Sequence, residues 1–167
     1  MKGIWKEYKT VKEIWKEYKA DEIPKDKYEV DSIAQVWGDT KILLYGFENI
    51  LLAEFGFVKS IRSSDEGVRI ETYHEVVEIQ EYRKDFFGHP MYKVENSEFF
   101  NWAMKDSVGF AFNLHHYAFV TQESIVDVLS GFPPKITVKK LEEGHSEANV
   151  SMFKDTLLSP TYWASGD

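Results

Sequence analysis

The apolar residues at the start of the chain recur at the spacing of an amphipathic helix. Two copies of IWKEYK occupy residues 4–9 and 14–19. Counted across both copies, the apolar positions step by four and then three residues, which is typical of one helical face. This pattern predicts a helix over residues 1–20 that docks on the body of the protein, with Trp5 at the edge of its apolar stripe. Because residues before a proline avoid the α-helical region, Ile23-Pro24 ends the helix.

From residue 32 the pattern changes to that of extended strands. Segments 32–37 and 40–45 flank Gly38-Asp39, a pair that favours a tight hairpin turn. Residues 110–120 carry apolar side chains on both faces, so they predict a central strand. Further strands are expected at 57–62, 68–73, 74–82 and 135–141, whereas the apolar run 47–57 fits a strand or a short buried helix. The segment beginning at His74 also fits one side of a helix.

Two shorter helices are marked by residues that cap helix ends. Ser97 can cap a helix that continues to about Lys105, with Glu98 in its first turn. Thr121 can cap a second helix over 122–130, which Gly131 would end.

The order of these elements predicts an α+β fold. Its mainly antiparallel sheet would be packed by the N-terminal amphipathic helix and the two shorter helices. The 167 residues are expected to form a single domain over 1–167. Within it we distinguish the docked helix 1–20, an α+β core over 32–141, and a C-terminal strap over 142–167.

Composition and charge limit the classes of protein to which this chain can belong. The chain is 43% hydrophobic and 16% aromatic, which is enough for a packed core, and it contains no cysteine. Disulfides, cysteine-ligated zinc and a thiol nucleophile are therefore excluded, and a reducing compartment is favoured. Because there is neither a signal-peptide run nor an apolar stretch of membrane-spanning length, we expect a cytoplasmic protein.

The net charge is −8, which argues against a nucleic-acid binder because that affinity depends on Lys and Arg. The charge is uneven, since residues 1–19 hold six lysines and three glutamates and leave a net charge of −11 on the rest of the chain. The basic first helix and the acidic body are expected to attract one another. Membrane attachment through that helix is disfavoured by its glutamates and by the acidic body.

Sequence motifs for cofactors and common enzymes are absent. The chain contains none of GxGxxG, GxxxxGK[ST], HExxH or GxSxG, so neither a cofactor nor a metal is expected. His115 and His116 are adjacent on a predicted strand, so they point to opposite faces and cannot chelate one metal together. A structural role is expected for both. The alternative is a small-ligand-binding protein or enzyme with a pocket of several hundred Å³ beside strand 110–120. There His115 or His116 would act as acid or base with a carboxylate such as Asp127.

The leading prediction is a binding protein rather than an enzyme. An acidic, aromatic-rich surface would bind and regulate or neutralise a protein partner with a basic surface, in the manner of an immunity protein, an antitoxin or a phage-encoded inhibitor. A homo-oligomer through the first helix is a further option, with tryptophans as anchors. The residues proposed for contacts are Glu71, Glu75, Glu78, Glu81, Phe86, Phe87, Tyr92, Trp5 and Trp15.

Overall fold

The computed structural model describes residues 12–36, 38–80 and 86–141. These residues form two β-sheets and two α-helices, and every pairing between neighbouring strands among them is antiparallel. The predicted α+β class with a mainly antiparallel sheet is therefore confirmed. In chain order the elements are β1 (Ile14–Glu17), β2 (Glu29–Val36), β3 (Asp39–Tyr45), β4 (Asn49–Phe55), β5 (Val58–Asp65), α1 (Ile70–Gln80), β6 (Met91–Glu95), α2 (Glu98–Asp106), β7 (His115–Val120), β8 (Ser124–Ser130) and β9 (Lys135–Lys140).

One sheet has five strands in the order β1-β6-β7-β8-β5, and the other has four in the order β2-β3-β4-β9. Side chains from both sheets share one buried cluster, so the sheets pack against each other. Phe55 of β4 contacts Tyr117 and Phe119 of β7, with ring centroids 5.6 and 6.1 Å apart. Each large apolar side chain buried there contributes about 1.5–3 kcal/mol, so this core is a main source of stability.

The other face of the five-stranded sheet carries a second apolar cluster, which includes Trp15 and Tyr92. Helix α1 covers part of it with Tyr73 and Val76, which are three residues apart and therefore lie on one side of the helix. The Tyr73 hydroxyl donates a hydrogen bond to the Thr121 carbonyl oxygen at 2.7 Å, which ties α1 to the end of β7.

The prediction of an N-terminal helix is wrong for the part of that segment that the structure describes. Ile14–Glu17 forms strand β1, which pairs with β6 at the edge of the five-stranded sheet. Trp15 is 3% exposed, whereas the side chains of Ile14 and Lys16 on either side are exposed, which is the alternation of a strand. Pairing with β6 therefore overrides the helical spacing. Residues 1–11, which include Trp5, and the proposed strap 142–167 lie outside the described residues.

Two further predictions of secondary structure are wrong. The predicted strand 68–73 lies mostly in α1, which also contains the segment beginning at His74, so the helical alternative for that segment is the one observed. Strand β5 runs on to Asp65, which caps a short 3₁₀ turn ahead of α1. The predicted helix 122–130 is strand β8, six of whose seven residues are buried. Its sequence SIVDVLS is rich in β-branched side chains, which fit a buried sheet better than a helix.

Other elements lie where the sequence placed them. Strands β2 and β3 flank Gly38, whose φ of 86° matches the tight turn predicted there. The helix expected after Ser97 is α2, and the last predicted strand is β9. The predicted central strand is β7, which lies in the middle of the five-stranded sheet but begins only at His115.

Candidate functional site

A cluster of charged side chains surrounds Asp127 on the helix-covered face of the five-stranded sheet. Asp127 of β8 is fully buried and lies directly opposite Arg62 of β5 in the sheet register. Its Oδ2 accepts hydrogen bonds from Arg62 Nε at 2.9 Å and from Arg69 Nη1 at 2.6 Å. Two guanidinium groups therefore compensate this carboxylate, as a buried charge requires.

His116 connects this cluster to the start of α2. Its Nε2 lies 2.7 Å from Asp127 Oδ1, and its Nδ1 lies 2.7 Å from Ser97 Oγ. All three side chains are buried. The contacts are satisfied together when the Ser97 hydroxyl donates to Nδ1 and a protonated Nε2 donates to Asp127. The rings of Trp15 and Phe99 contact the imidazole edge to face, at centroid distances of 6.0 and 5.6 Å, and hold its orientation.

Electrostatics keep Asp127 ionised. Burial alone would raise the pKa of the Asp127 carboxyl, because a low-dielectric interior disfavours the charge. The hydrogen bonds and charges of His116 and Arg69 outweigh burial and hold that pKa well below its usual range. The carboxylate can therefore orient the imidazole and stabilise a positive charge on it.

Ser97 stands at a sharp turn from a strand into a helix. Strand β6 ends at Glu95, and Asn96 adopts a positive φ of 53°, which asparagine tolerates better than most residues. Ser97 then caps α2 by accepting a hydrogen bond from the Phe100 N–H at 2.9 Å. The turn and the cap together fix the hydroxyl against His116.

Two clefts open beside this network. One, of about 400 Å³, is lined by Ser97, His116, Lys93, Asn101 and Leu114 among others. The other, of about 610 Å³, is lined by both arginines together with Glu13, Thr72, Phe99 and Trp102 among others. The guanidinium of Arg62 lies 4.5 Å from the centroid of the Phe99 ring, so a cation–π contact supports it beside the second cleft.

A third concavity, a groove of about 760 Å³, lies beside the first residue of β7 and shares Leu114 and His115 with the 400 Å³ cleft. We call it the phenylalanine groove, because it is lined by four phenylalanines that come from three separate loops, namely Phe57, Phe110, Phe112 and Phe132. Their exposed fractions range from 59% to 87%. The rings of Phe57 and Phe132 contact each other edge to face at 5.7 Å. His115 and Lys59 also line the groove.

The two candidate histidines differ in their contacts. His116 is in direct contact with Asp127, whereas His115 is exposed and lines both the 400 Å³ cleft and the phenylalanine groove. The structure therefore brings His116, but not His115, into contact with the carboxylate of Asp127.

The residues proposed for an acidic, aromatic contact surface do not all reach the surface. Glu71 of α1 is exposed, and Glu75 forms an ion pair with Lys12 at 3.1 Å. Phe86 and Phe87 are half-buried, and Phe86 packs against Tyr73. The side chain of Glu78, and the whole of Glu81, lie outside the described residues.

The prediction that Tyr92 and Trp15 lie at a contact surface is not met, because both side chains are buried. Tyr92 has no exposed surface and donates a hydrogen bond to the His89 carbonyl oxygen, because β6 turns its ring into the second cluster. Trp15 packs at the edge of the Tyr92 ring, with centroids 6.0 Å apart. Neither ring is available to a partner in this structure.

Sequence reasoning missed the functional potential of several residues. Ser97 was expected only as a helix cap, and Arg62 and Arg69 carried no signal because their common partner, Asp127, was placed on a helix. Phe110 and Phe112 were expected inside a central strand, although the Gly109 beside them could have indicated a loop.

Comparison of the chain with protein-family models, with curated proteins and with solved structures gave no match. Within the described ranges, no cluster of three or more His, Asp or Glu side chains could hold a metal ion. No helix in that same part of the chain is long and apolar enough to cross a membrane.

Proposed function

We propose that this protein binds another protein through the phenylalanine groove and thereby regulates or neutralises it. The proposal is carried by the concentration of Phe57, Phe110, Phe112 and Phe132 in one exposed concavity. Single exposed apolar residues are common on proteins, but contiguous apolar patches usually mark interaction sites. Phenylalanine, with the other aromatic residues, is also enriched in protein–protein interfaces relative to the rest of the surface.

Strained backbone conformations at two residues of the phenylalanine groove and its flanking loop support a functional role for the groove. Phe57 has a φ of 61°, and Val108, just before the loop phenylalanines, has a φ of 54°. Non-glycine residues in this region cost about 1–3 kcal/mol each and concentrate at functional sites. A β-branched valine is especially unfavourable there. Both strained residues lie next to the exposed phenylalanines of the groove or are one of them.

The charge of the chain favours a basic partner. The net charge of −8 would steer such a partner toward the protein at long range, and Glu71 presents one exposed carboxylate on α1. We propose that apolar side chains of the partner then fill the groove. Charge steering should weaken with added salt, while contact in the groove should not. The cytoplasm, expected from the sequence, is the proposed location.

The test compares two phenylalanines of the groove with one exposed phenylalanine elsewhere on the surface. Phe110→Ser/Phe112→Ser alters the groove, and Phe47→Ser serves as the control, because Phe47 is 74% exposed and lies in the β3–β4 turn. Each variant and the wild type are immobilised, and proteins retained from native lysate are identified. We expect one set of proteins to bind the wild type and Phe47→Ser but not the groove variant. Equal retention by all three proteins would refute the proposal.

A second candidate function is supported by the contact between His116 and Asp127. An imidazole oriented by an ionised carboxylate beside a cleft of about 400 Å³ is suited to acid–base chemistry on a small ligand. We propose this as the alternative, in which the chain is an enzyme.

A further inference from the structure

We propose that Ser97, His116 and Asp127 form a catalytic triad that hydrolyses short acyl esters in the smaller of the two clefts. This inference rests on the second candidate function above. It extends that candidate by naming a nucleophile, a reaction and a substrate class. The inference is carried by two distances of 2.7 Å, from Ser97 Oγ to His116 Nδ1 and from His116 Nε2 to Asp127 Oδ1.

The three groups have the contacts that nucleophilic catalysis by serine requires. The hydroxyl of Ser97 is within hydrogen-bond reach of a base, and a third group orients that base. The two ring nitrogens are used in the reverse order from the best-known serine proteases, where Nε2 faces the serine. Either nitrogen can accept the proton, so this reversal changes the ring orientation and leaves the chemistry the same.

The local backbone places Ser97 as many serine nucleophiles are placed. In enzymes with a nucleophile elbow, the serine stands on a tight turn between a strand and a helix. Here the chain passes from β6 through Asn96 to α2 within two residues, with Ser97 at the helix cap. The positive φ belongs to Asn96 and not to the serine, and the glycines of the GxSxG motif are absent. The similarity is therefore one of strand–turn–helix geometry alone.

The backbone N–H groups at the start of α2 are mostly engaged. The Glu98 N–H donates to Glu13 Oε2 at 3.0 Å, and the Phe100 N–H donates to Ser97 Oγ at 2.9 Å. Phe99 lines the larger cleft and not the smaller one, so we assign its N–H no role in the reaction.

The reaction proceeds through an acyl-enzyme. Ser97 Oγ forms a bond to the acyl carbon of the ester, and its proton passes to His116 Nδ1. The bond from that carbon to the alcohol oxygen breaks, and His116 returns the proton to the departing alcohol. A water molecule then loses a proton to His116 as its oxygen bonds to the acyl carbon. The bond from that carbon to Ser97 Oγ breaks, the carboxylic acid leaves, and His116 returns the proton to Ser97 Oγ. Asp127 acts as the positioning residue that stabilises the imidazolium.

The cleft limits the size and polarity of the substrate. Its volume of about 400 Å³ lies at the lower end of ligand pockets, and Lys93 and Asn101 in its lining are polar. Ser97 is 4% exposed and lines this cleft, so we infer that a substrate approaches the hydroxyl from there. A short acyl group on a polar alcohol fits these conditions.

The experiment uses the full chain with p-nitrophenyl acetate as substrate and a fluorophosphonate as a covalent probe. We expect ester hydrolysis above the buffer rate and a mass adduct on the peptide that contains Ser97. Ser97→Asn is the informative variant, because asparagine caps helices as well as serine does but has no hydroxyl. It should lose labelling and return to the buffer rate while its thermal unfolding remains cooperative, which shows that it is still folded. His116→Gln should lower the rate by about 100-fold or more.

Ser63→Asn, at an exposed serine of β5, is the matched control and should keep both labelling and rate. Labelling of a different serine, retention of the rate by Ser97→Asn, or a wild-type rate equal to buffer would each overturn the proposal. The hydrolysis assay needs no protein partner, so a negative result does not affect the proposal that the phenylalanine groove binds a protein. In the same way, the binding test of the groove variant does not depend on hydrolysis.

Discussion

The carboxylate of Asp26 occupies the space that a side chain at Gly46 would need. Asp26 is buried and accepts hydrogen bonds from the backbone N–H groups of residues 47, 48 and 49 at 2.9–3.0 Å. It also accepts one from the Asn49 side-chain amide at 3.0 Å. One carboxylate thus holds the tight connection between β3 and β4, and the absence of a Cβ at Gly46 is what lets it approach.

Gly46→Ala should destabilise the protein through this contact. The new methyl group must displace the Asp26 carboxylate from the three backbone N–H groups that donate to it, so we expect a loss of about 2–4 kcal/mol in the free energy of unfolding. Gly131→Ala is the matched control, because a Cβ added at Gly131 meets nothing within 4 Å. Urea unfolding of both variants checks this prediction. Equal midpoints for the two would show that Asp26 can move without cost.

Asp127→Asn should be strongly destabilising at neutral pH. The substitution leaves Arg62 and Arg69 without their buried counter-charge, and breaking a buried ion pair costs about 3–5 kcal/mol. The folded pKa of Asp127 lies below its unfolded value of 3.8, so its contribution to stability is present above about pH 4 and is lost as the pH falls further. The variant should therefore lose less stability than wild type between pH 4 and pH 3.

Chemical unfolding at pH 7, 4 and 3 measures both effects for Asp127. Asp106→Asn, at the exposed end of α2, controls for the loss of one negative charge. If the Asp106 and Asp127 variants unfold at the same denaturant concentration, the two arginines do not depend on Asp127.

His89 should make the protein less stable in mild acid. The ring is 2% exposed, and its Nε2 donates to the Tyr18 carbonyl oxygen at 2.9 Å. Burial, which outweighs the opposing effect of Glu17, lowers the pKa of His89 below its usual 6.5. As the pH falls through 6.5, the unfolded chain takes up a proton that the folded chain does not. Stability should therefore fall by up to about 1.4 kcal/mol per pH unit in that range.

His89→Gln removes this titration and can keep a donor near the Tyr18 carbonyl. The difference in unfolding free energy between pH 7.5 and pH 5.5 should be smaller for this variant than for wild type. His74→Gln, on the exposed side of α1, controls for removal of a histidine from the surface. An unchanged pH dependence in His89→Gln would mean that another group accounts for the acid sensitivity.

The elements that the sequence predicted well carry strong local signals. The turn at Gly38 needs a backbone conformation that glycine adopts easily, and Ser97 supplies the acceptor that the first turn of α2 requires. Both signals act over a few residues and depend little on the rest of the chain. These two signals locate a hairpin and a helix without any information on tertiary contacts.

The segments that were predicted wrongly depend on distant partners. Residues 14–17 have helical spacing, yet pairing with β6 makes them a strand. Residues 124–130 follow a good helix cap, yet β5 and β7 on either side make them the buried strand β8. In both cases hydrogen bonds to remote strands and burial between them outweigh the local preference for a helix, which is worth less than about 1 kcal/mol per residue.

The α+β class and the residue types available for chemistry, including His116 and Asp127, follow from the sequence. Tertiary packing brings these two side chains into contact, adds Ser97 and the arginines to them, and leaves the phenylalanines around the groove exposed. Alternation along a strand assigns each side chain to a face, but its neighbours depend on the register between strands that are far apart in sequence. Register is a property of the assembled sheet, and a local pattern of residues does not contain it.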